Sequence, residues 1–366
     1  MKRVRVAAGR APYDVLIGMG ALTASRLRAC LGKKPSGIVV TSTKVWRLHG
    51  PALRKVLDEA GFGVRRELRL PDGEAAKTPG VWERTIRAMA RAGLDRSSFV
   101  VAFGGGSIGD AAGFAAATYM RGIRLIHVPT TLLSMVDSSV GGKTGVNLAE
   151  GKNLVGSFHQ PSLVLGDLEF LRTLPARERQ SGVYEVLKCG LLREEALVTL
   201  VESTRGLRKA TEEQLEAAIS AAVRIKARIV ERDERESGER VLLNLGHTLG
   251  HALEAATSYR RFTHGEAVGY GLEFALDMSE RLGLLPFPAA ERMRSAIRSV
   301  GAKKPLPRGV ARRARQAVFS DKKRDGTELT EVLLARPGRP VVRRIEARGY
   351  AADAERWLLG RTGPKG

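Results

Sequence analysis

The residues best placed to do chemistry are histidines. Six occur in the chain, and three of them, His247, His251 and His264, fall within 244–264. Read as a helix over Asn244–Ser258, at about 100° per residue, Asn244, His247, His251 and Glu254 share one face. The other faces carry Leu245, Leu249, Ala252 and Leu253. A polar stripe on an apolar helix is costly to desolvate unless partners satisfy it. A metal ion or a substrate would supply them, and a pair of hydrogen-bonded core histidines is the alternative. Cys30 and Cys189 are the only cysteines, so a metal would have to be held by imidazole and carboxylate. The carboxylate that could complete a His/His/acid set with an open position is Glu185, in the mostly apolar run Ser181–Lys188. An ion pair with Lys188 at i+3 competes with that reading.

A second cluster suits anions. Val100–Phe103 reads as a strand and runs into Gly104-Gly105-Gly106-Ser107-Ile108-Gly109-Asp110 before a helical stretch, Ala111–Met120. Glycines there allow backbone to approach a pyrophosphate, and the helix N-terminus favours its charge. A tight strand-to-helix turn without a ligand is the competing reading. The acidic residue expected roughly 20 positions later is missing, so this is not the ordinary dinucleotide fingerprint. The loop Asp137–Asn153 follows, where Lys143 and Lys152 each come after a glycine and resemble phosphate ligands; solvated loop lysines are the alternative. Lys226 falls within the apolar stripe Leu215, Ile219, Ala222 and Ile229 of a helical segment, about 20° from Leu215. An inward lysine needs an anion unless its head snorkels to water. The run Glu231–Arg240 reads as a solvated turn, with Arg240 lying just before the histidine segment.

These residues need a frame to position them. In the first half, short apolar strands (Val15–Ile17, Gly37–Thr41, Ser98–Phe103, Leu125–Pro129) alternate with helical stretches such as Ala52–Ala60 and Pro79–Ala92, a βαβ rhythm that predicts a parallel sheet. From about Pro175 onward the pattern becomes helical, with a capping-box start at Thr211 and Gln214. Short loops are expected at Leu285–Pro288 and Lys303–Arg308, and disorder in the tail Arg361–Gly366. The expected architecture is α/β: an N-terminal Rossmann-like parallel-sheet domain over 1–175 and a C-terminal all-helical, metal-binding domain over 176–366. With 366 residues and 43% hydrophobic content, two cores can be built. Two cysteines and no apolar run of the roughly 18 residues a membrane span needs point to a soluble cytoplasmic protein. The net charge of +22 suits an anionic partner, but the basic residues are dispersed and aromatics are 5%, which argues against nucleic acid.

Taken together, these segments resemble the 3-dehydroquinate synthase family. The strings DGEAAKT, GGGSIGD, YMRG, VPTTLLSMVDSSVGGKTGVNL, GKNLVGSFHQP, TLPARE, YEVLKCG, LNLGHTLGHALE, HGEAVGYG and DKKRDG occur in that family's order between Asp72 and Gly326. The resemblance implies a homodimer that uses NAD and a divalent metal, zinc or possibly cobalt. It would convert 3-deoxy-D-arabino-heptulosonate 7-phosphate to 3-dehydroquinate and phosphate without net redox change. It implies metal ligation by Glu185, His247 and His264, and moves His251 from a ligand to a substrate contact. NAD would meet Asp72, Gly73, Glu74, Ala75, Ala76 and Lys77, then Gly105, Gly106, Ser107, Ile108, Gly109 and Asp110, then Thr130, Thr131 and Phe170, Leu171, Arg172 and Thr173, with Lys143 and Lys152 nearby. Substrate contacts would be Asp137, Lys143, Asn153, Lys188, Lys226, Arg240, Asn244, His251 and Lys322 or Lys323, and Arg121 would reach the neighbouring subunit's site. The chain departs from the family in three places. Ser42 or Thr43 stands where Asp usually holds the adenosine ribose, Tyr184 replaces Ala beside Glu185, and Cys189 replaces Tyr. Another sugar phosphate cyclase, or a metal-dependent polyol dehydrogenase of the same architecture, is the alternative; only the dehydrogenase would accumulate NADH.

Overall fold

The computed structural model describes residues 1–9, 12–32, 35–319, 324, 325 and 327–362. They form two compact units, one comprising Met1–Pro175 and Ile219–Arg235, the other Ala176–Ala218 and Glu236–Gly366. Residues 219–235, expected in the second domain, thus pack with the first.

The first unit is built on a sheet of β1 (Lys2–Val6), β2 (Tyr13–Gly18), β3 (Ser36–Ser42), β4 (Gly63–Leu70), β5 (Phe99–Gly104), β6 (Arg124–Pro129) and β9 (Leu163–Asp167), in the order β1-β2-β9-β6-β5-β3-β4. β1 pairs antiparallel with β2, and every other pairing is parallel. Helices α1 (Ala24–Leu31), α2 (Thr43–Glu59), α3 (Pro79–Arg91) and α4 (Gly106–Thr118) connect the strands. Parallel strands covered on both faces must be apolar throughout, and all six residues of β5 are buried. The core on one face joins Ile38, Val40, Val100 and Ala102 of the sheet to Val81 and Met89 of α3 and Ile108, Ala111 and Ala115 of α4. The expected loop 137–153 is partly ordered as a hairpin of β7 (Lys143–Leu148) and β8 (Gly151–Phe158).

The second unit is helical. It contains α5 (Ala176–Arg193), α6 (Glu195–Ser203), the start of α7 (Glu212–Arg232), α8 (His247–Ala256), α9 (His264–Arg281), α10 (Phe287–Ser299), α11 (Val310–Val318) and α12 (Ala347–Leu359). It also carries an antiparallel sheet, β10 (Arg324–Asp325), β11 (Glu328–Arg336) and β12 (Arg339–Glu346), which the expected all-helical make-up lacked. One core gathers Leu249 and Leu253 of α8, Phe274 and Met278 of α9, Val310 and Ala314 of α11, Leu333 of β11 and Tyr350 of α12. The capping box at the head of α7 forms as expected: Gln214 N–H donates to Thr211 Oγ1 at 3.2 Å, and Thr211 N–H to Gln214 Oε1 at 2.9 Å. Lys322 and Lys323 lie outside the described residues, as do residues 363–366 of the tail.

Candidate functional site

Three helices of the second unit deliver the metal-type side chains, and glycine sets how closely they approach. The first residue of α8 is His247, preceded by Gly246 at φ +75°, a left-handed conformation that costs glycine little. A Cβ on Gly271 of α9 would stand 1.8 Å from the Gly246 carbonyl oxygen, so backbone meets backbone there. At the start of α9, a Cβ on Gly265 would lie 2.1 Å from the Ser181 carbonyl oxygen of α5. The Gly265 N–H donates to Ser181 Oγ at 3.0 Å. The N-terminus of α9 is further fixed by a capping box between Thr263 and Glu266. Arg177 of α5 donates to both Glu266 oxygens, at 3.0 and 2.5 Å.

These seams bring Glu185 (α5), His247 (α8) and His264 (α9) together. His264 Nε2 lies 3.4 Å and His247 Nε2 3.7 Å from Glu185 Oε1, and the three ligand atoms fall within 4.8 Å of one another. Ligands about 2.0–2.2 Å from a tetrahedral ion stand about 3.3–3.6 Å apart, so the 3.4 Å pair is already at that spacing and the 3.7 Å pair just outside it, and imidazole with carboxylate is a donor set that zinc or cobalt accepts. Each imidazole is also held from behind: His247 Nδ1 faces the Leu245 carbonyl at 3.1 Å, and His264 Nδ1 faces Glu254 Oε2 at 3.3 Å. Engaging Nδ1 leaves Nε2 aimed at the shared point, the arrangement metal-binding histidines use. Burial alone would lower the His264 pKa, but the Glu254 and Glu185 carboxylates outweigh it and raise it to about 10. His251, Glu254 and His264 form a second, overlapping group, in which His251 is exposed.

Lys188 forms the ion pair with Glu185 that the i+3 spacing allowed, and both are buried. The pair therefore coexists with the histidine cluster. Asn244 is not on the histidine helix. It ends a 3-10 turn, Glu239–Asn244, and Gly246 breaks the path to α8, so Asn244 instead donates to Glu236 Oε1 at 2.9 Å. Arg240 is buried in that turn. Tyr184 turns away from its neighbour Glu185. It packs on Gly269 of α9 and donates to the Gly301 carbonyl at 3.3 Å. The sequence reading missed Arg177 and Glu266. A capping signature, Thr263 followed by Glu266, was there to point to the latter.

In the first unit, the Gly-rich turn joins β5 to α4 with Gly105 at the helix cap. A Cβ on Gly106 would meet Ser138 Oγ at 2.8 Å, and one on Gly109 would meet the His127 ring at 3.2 Å. Lys77, buried after the turn Gly73–Ala76, donates to Asp110 Oδ2 at 2.6 Å and also to Asn153 Oδ1. Burial raises the Asp110 pKa, and Lys77 opposes that shift. Asn153 sits at φ +54° and its N–H donates to Asn147 Oδ1, while Asn147 and Lys152 both reach Glu74. Thus Glu74, Lys77, Asp110, Lys152 and Asn153 form one polar network beside the turn. At the turn itself, Thr130 N–H donates to the Gly104 carbonyl at 2.9 Å, and a Cβ on Gly105 would lie 3.1 Å from Thr131 Cγ2. Phe170 packs edge-on against Phe103, and Thr173 Oγ1 lies 2.8 Å from His49 Nε2. Leu171 is buried and Arg172 is exposed, paired with Glu169. The inward Lys226 finds its anion: it donates to the Asp137 carbonyl oxygen at 2.6 Å and pairs with the Asp137 carboxylate. Lys143 is exposed at the start of β7. Arg121 is exposed, at φ +66° next to Met120 at φ +51°.

The family models of the 3-dehydroquinate synthase N-terminal and C-terminal regions match residues 67–181 and 182–324. A 3-dehydroquinate synthase of Cereibacter sphaeroides is 46% identical over 302 residues, covering 82% of this chain and 81% of that protein. Among solved structures, 2-deoxy-scyllo-inosose synthase complexed with carbaglucose-6-phosphate, NAD+ and Co2+ superposes with TM-score 0.88 at 26% identity, over 97% of this chain and 100% of the other. The 2-epi-5-epi-valiolone synthase of Streptomyces hygroscopicus subsp. jinggangensis 5008, with NAD+ and Zn2+ bound, gives TM-score 0.85 at 27% identity over 97% and 99%. With two family models spanning most of its length and a curated relative at this identity, the chain belongs to the 3-dehydroquinate synthase family.

Proposed function

We propose that the chain converts 3-deoxy-D-arabino-heptulosonate 7-phosphate to 3-dehydroquinate and phosphate, as a phosphate-eliminating carbon–oxygen lyase. The observation that carries this reading is the convergence of Glu185 Oε1 with His247 Nε2 and His264 Nε2, each imidazole held from behind. Glu185, His247 and His264 hold the divalent ion, which supplies Lewis acidity toward a substrate oxygen when bound. The turn Gly105–Asp110, the segment Asp72–Lys77, Thr130, Thr131 and Phe170–Thr173 hold NAD, whose own chemistry carries the hydride. Lys77 neutralises Asp110 and orients Asn153 within that network. Lys143, Lys152, Lys188, Lys226, Arg240 and the Lys322/Lys323 pair provide the charge that binds phosphate and carboxylate, while Asp137, Asn153, Asn244 and His251 orient hydroxyls. The enzyme acts as a cytoplasmic homodimer, with Arg121 offered to the partner's site.

The test is phosphate release from the heptulosonate phosphate, measured with and without NAD and chelator, in wild type and His264→Ala. Release that needs both cofactors, is lost in the variant and leaves no net NADH is the expected result. Turnover that survives chelation and the substitution overturns the metal assignment. Accumulation of NADH with a polyol would favour the dehydrogenase alternative.

A further inference from the structure

Helix α5 meets the head of α9 through three residues spaced four apart, Arg177, Ser181 and Glu185, which therefore share one face. Their partners are three consecutive residues of α9, taken in reverse order. Arg177 donates to both Glu266 oxygens, at 3.0 and 2.5 Å. Ser181 Oγ accepts the Gly265 N–H at 3.0 Å. Glu185 Oε1 lies 3.4 Å from His264 Nε2. Together they make a ladder, and its last rung consists of two groups assigned to the metal ion.

Each of the other two rungs answers a need of its own. The first N–H groups of a helix have no partner within it, and Ser181 serves that of Gly265 from a neighbouring helix. Glu266 is buried, and a buried carboxylate needs a cation or donors. It accepts the Thr263 N–H at 2.9 Å and takes the two-pronged guanidinium of Arg177. The same guanidinium donates to the Arg261 carbonyl at 2.6 Å, so it also holds the chain that leads into α9. The seam itself is backbone against backbone, since a Cβ on Gly265 would stand 2.1 Å from the Ser181 carbonyl oxygen. With no side chain on Gly265 to key the helices together, the two polar rungs oppose a slide of α9 along α5. Metal–ligand distances tolerate about 0.2 Å, a small part of the rise of about 1.5 Å per helical residue, so a slight slip would disturb the last rung.

The other end of α9 is tied as well. Arg294 of α10 donates to Asp277 at 2.9 and 2.6 Å and pairs with Glu280. Asp277 is more than three turns beyond His264, about 20 Å along the helix, so this anchor supports α9 far from its head.

We infer that Arg177 and Ser181 are positioning residues, which set the register of α9 on α5 and through it the approach of His264 to Glu185. The inference rests on the metal reading proposed above. The test is Zn2+ competition against a chromophoric chelator in the full chain, with the Co2+ absorption spectrum and the melting temperature of the metal-free protein alongside. Arg177→Met should weaken Zn2+ by about tenfold or more and Ser181→Ala by about threefold or more, each with an altered Co2+ spectrum. Arg177→Lys keeps the charge without the fork and should lose less than Arg177→Met. Arg294→Met, the control, should lower the melting temperature while Zn2+ affinity stays within about threefold and the spectrum is unchanged. Arg177→Met and Ser181→Ala that lower only the melting temperature overturn the inference, as does an Arg294→Met that weakens Zn2+ as much as they do. If Arg177→Met does not fold, Ser181→Ala and Arg177→Lys decide by the same criteria. Equal Zn2+ binding by wild type and His264→Ala overturns the metal reading itself, and this inference with it.

Discussion

Removing the Glu254 carboxylate should loosen the metal centre without touching a ligand. Glu254 is 7% exposed on α8, and its Oε2 stands 3.3 Å from His264 Nδ1. That contact fixes which nitrogen faces Glu185 and keeps the ring from turning about its own side-chain bond. Loss of such an outer contact typically weakens metal affinity by about 10–100-fold, or about 1.4–2.7 kcal/mol. Glu254→Ala should fall in that range. Glu254→Gln, which keeps the shape and an acceptor oxygen, should lose less than about tenfold. The assay is competition for Zn2+ against a chromophoric chelator, with the Co2+ absorption spectrum as a report on geometry and thermal unfolding as a control for fold. A lowered melting temperature with unchanged Zn2+ affinity and Co2+ spectrum would mean that Glu254 is merely structural and would refute the reasoning. Because His251, Glu254 and His264 form an overlapping group, His247→Ala and His251→Ala belong in the same series. Abolished binding in His251→Ala, with binding retained in His247→Ala, would place the ion in that other group.

Gly271→Ala should separate α8 from α9. Its Cβ would start 1.8 Å from the Gly246 carbonyl oxygen, against an ordinary carbon–oxygen approach of about 3.3 Å, and overpacking of this kind costs about 1–3 kcal/mol; a Zn2+ titration of the folded variant should show a loss of more than about tenfold. His127 has its pKa lowered to about 4 by burial, with His159 adding to the shift. The unfolded chain therefore binds this proton first, so stability present above about pH 6.5 is lost as pH falls toward about 4, a term of about 3 kcal/mol. Urea unfolding at neutral pH and at about pH 4 should show His127→Asn losing less over that interval than wild type. Lys226→Met removes the ammonium from the Asp137 carboxylate and should cost about 1–3 kcal/mol by the same method, with Asp137→Asn on top recovering part of it.

How much of this was legible in the residues depends on what each element has to bury. β5 and β6 read correctly because a parallel strand covered on both faces must be apolar along its whole length. β1, β4 and β12 were missed because their sequences, KRVRV, GVRRELRL and RPVVRRIE, lack an apolar run: β1 keeps its arginines on one exposed face, and β4 and β12 are exposed or half-buried along nearly their whole length. The lysine placed inward by its phase on α7 did find an anion, since a buried ammonium is too costly to leave alone. Asn244 failed the same kind of argument. Helical phase assumes an unbroken helix, and Gly246 at φ +75° interrupts it. A glycine between Asn244 and His247 was visible in the sequence, but its left-handed conformation follows from the tight contact with Gly271, which periodicity does not encode.

The same limit explains the metal and nucleotide sites. One helix supplied an i, i+4 histidine pair that looked like two ligands, yet the imidazoles that converge on Glu185 are those of His247 and His264, so this group draws on three helices. Their meeting depends on backbone seams at Gly246–Gly271 and Gly265–Ser181, where the missing side chains matter more than the present ones. At the nucleotide turn, the search for an acid some twenty residues downstream assumes that the turn-bearing strand comes first and its ribose-side neighbour next. In this sheet one of the two neighbours of β5 is β3, which precedes it in the chain. The carboxyl end of that neighbour therefore lies upstream of the turn, at Ser42 and Thr43. Sheet order, and not distance along the chain, decides which residues stand beside the turn.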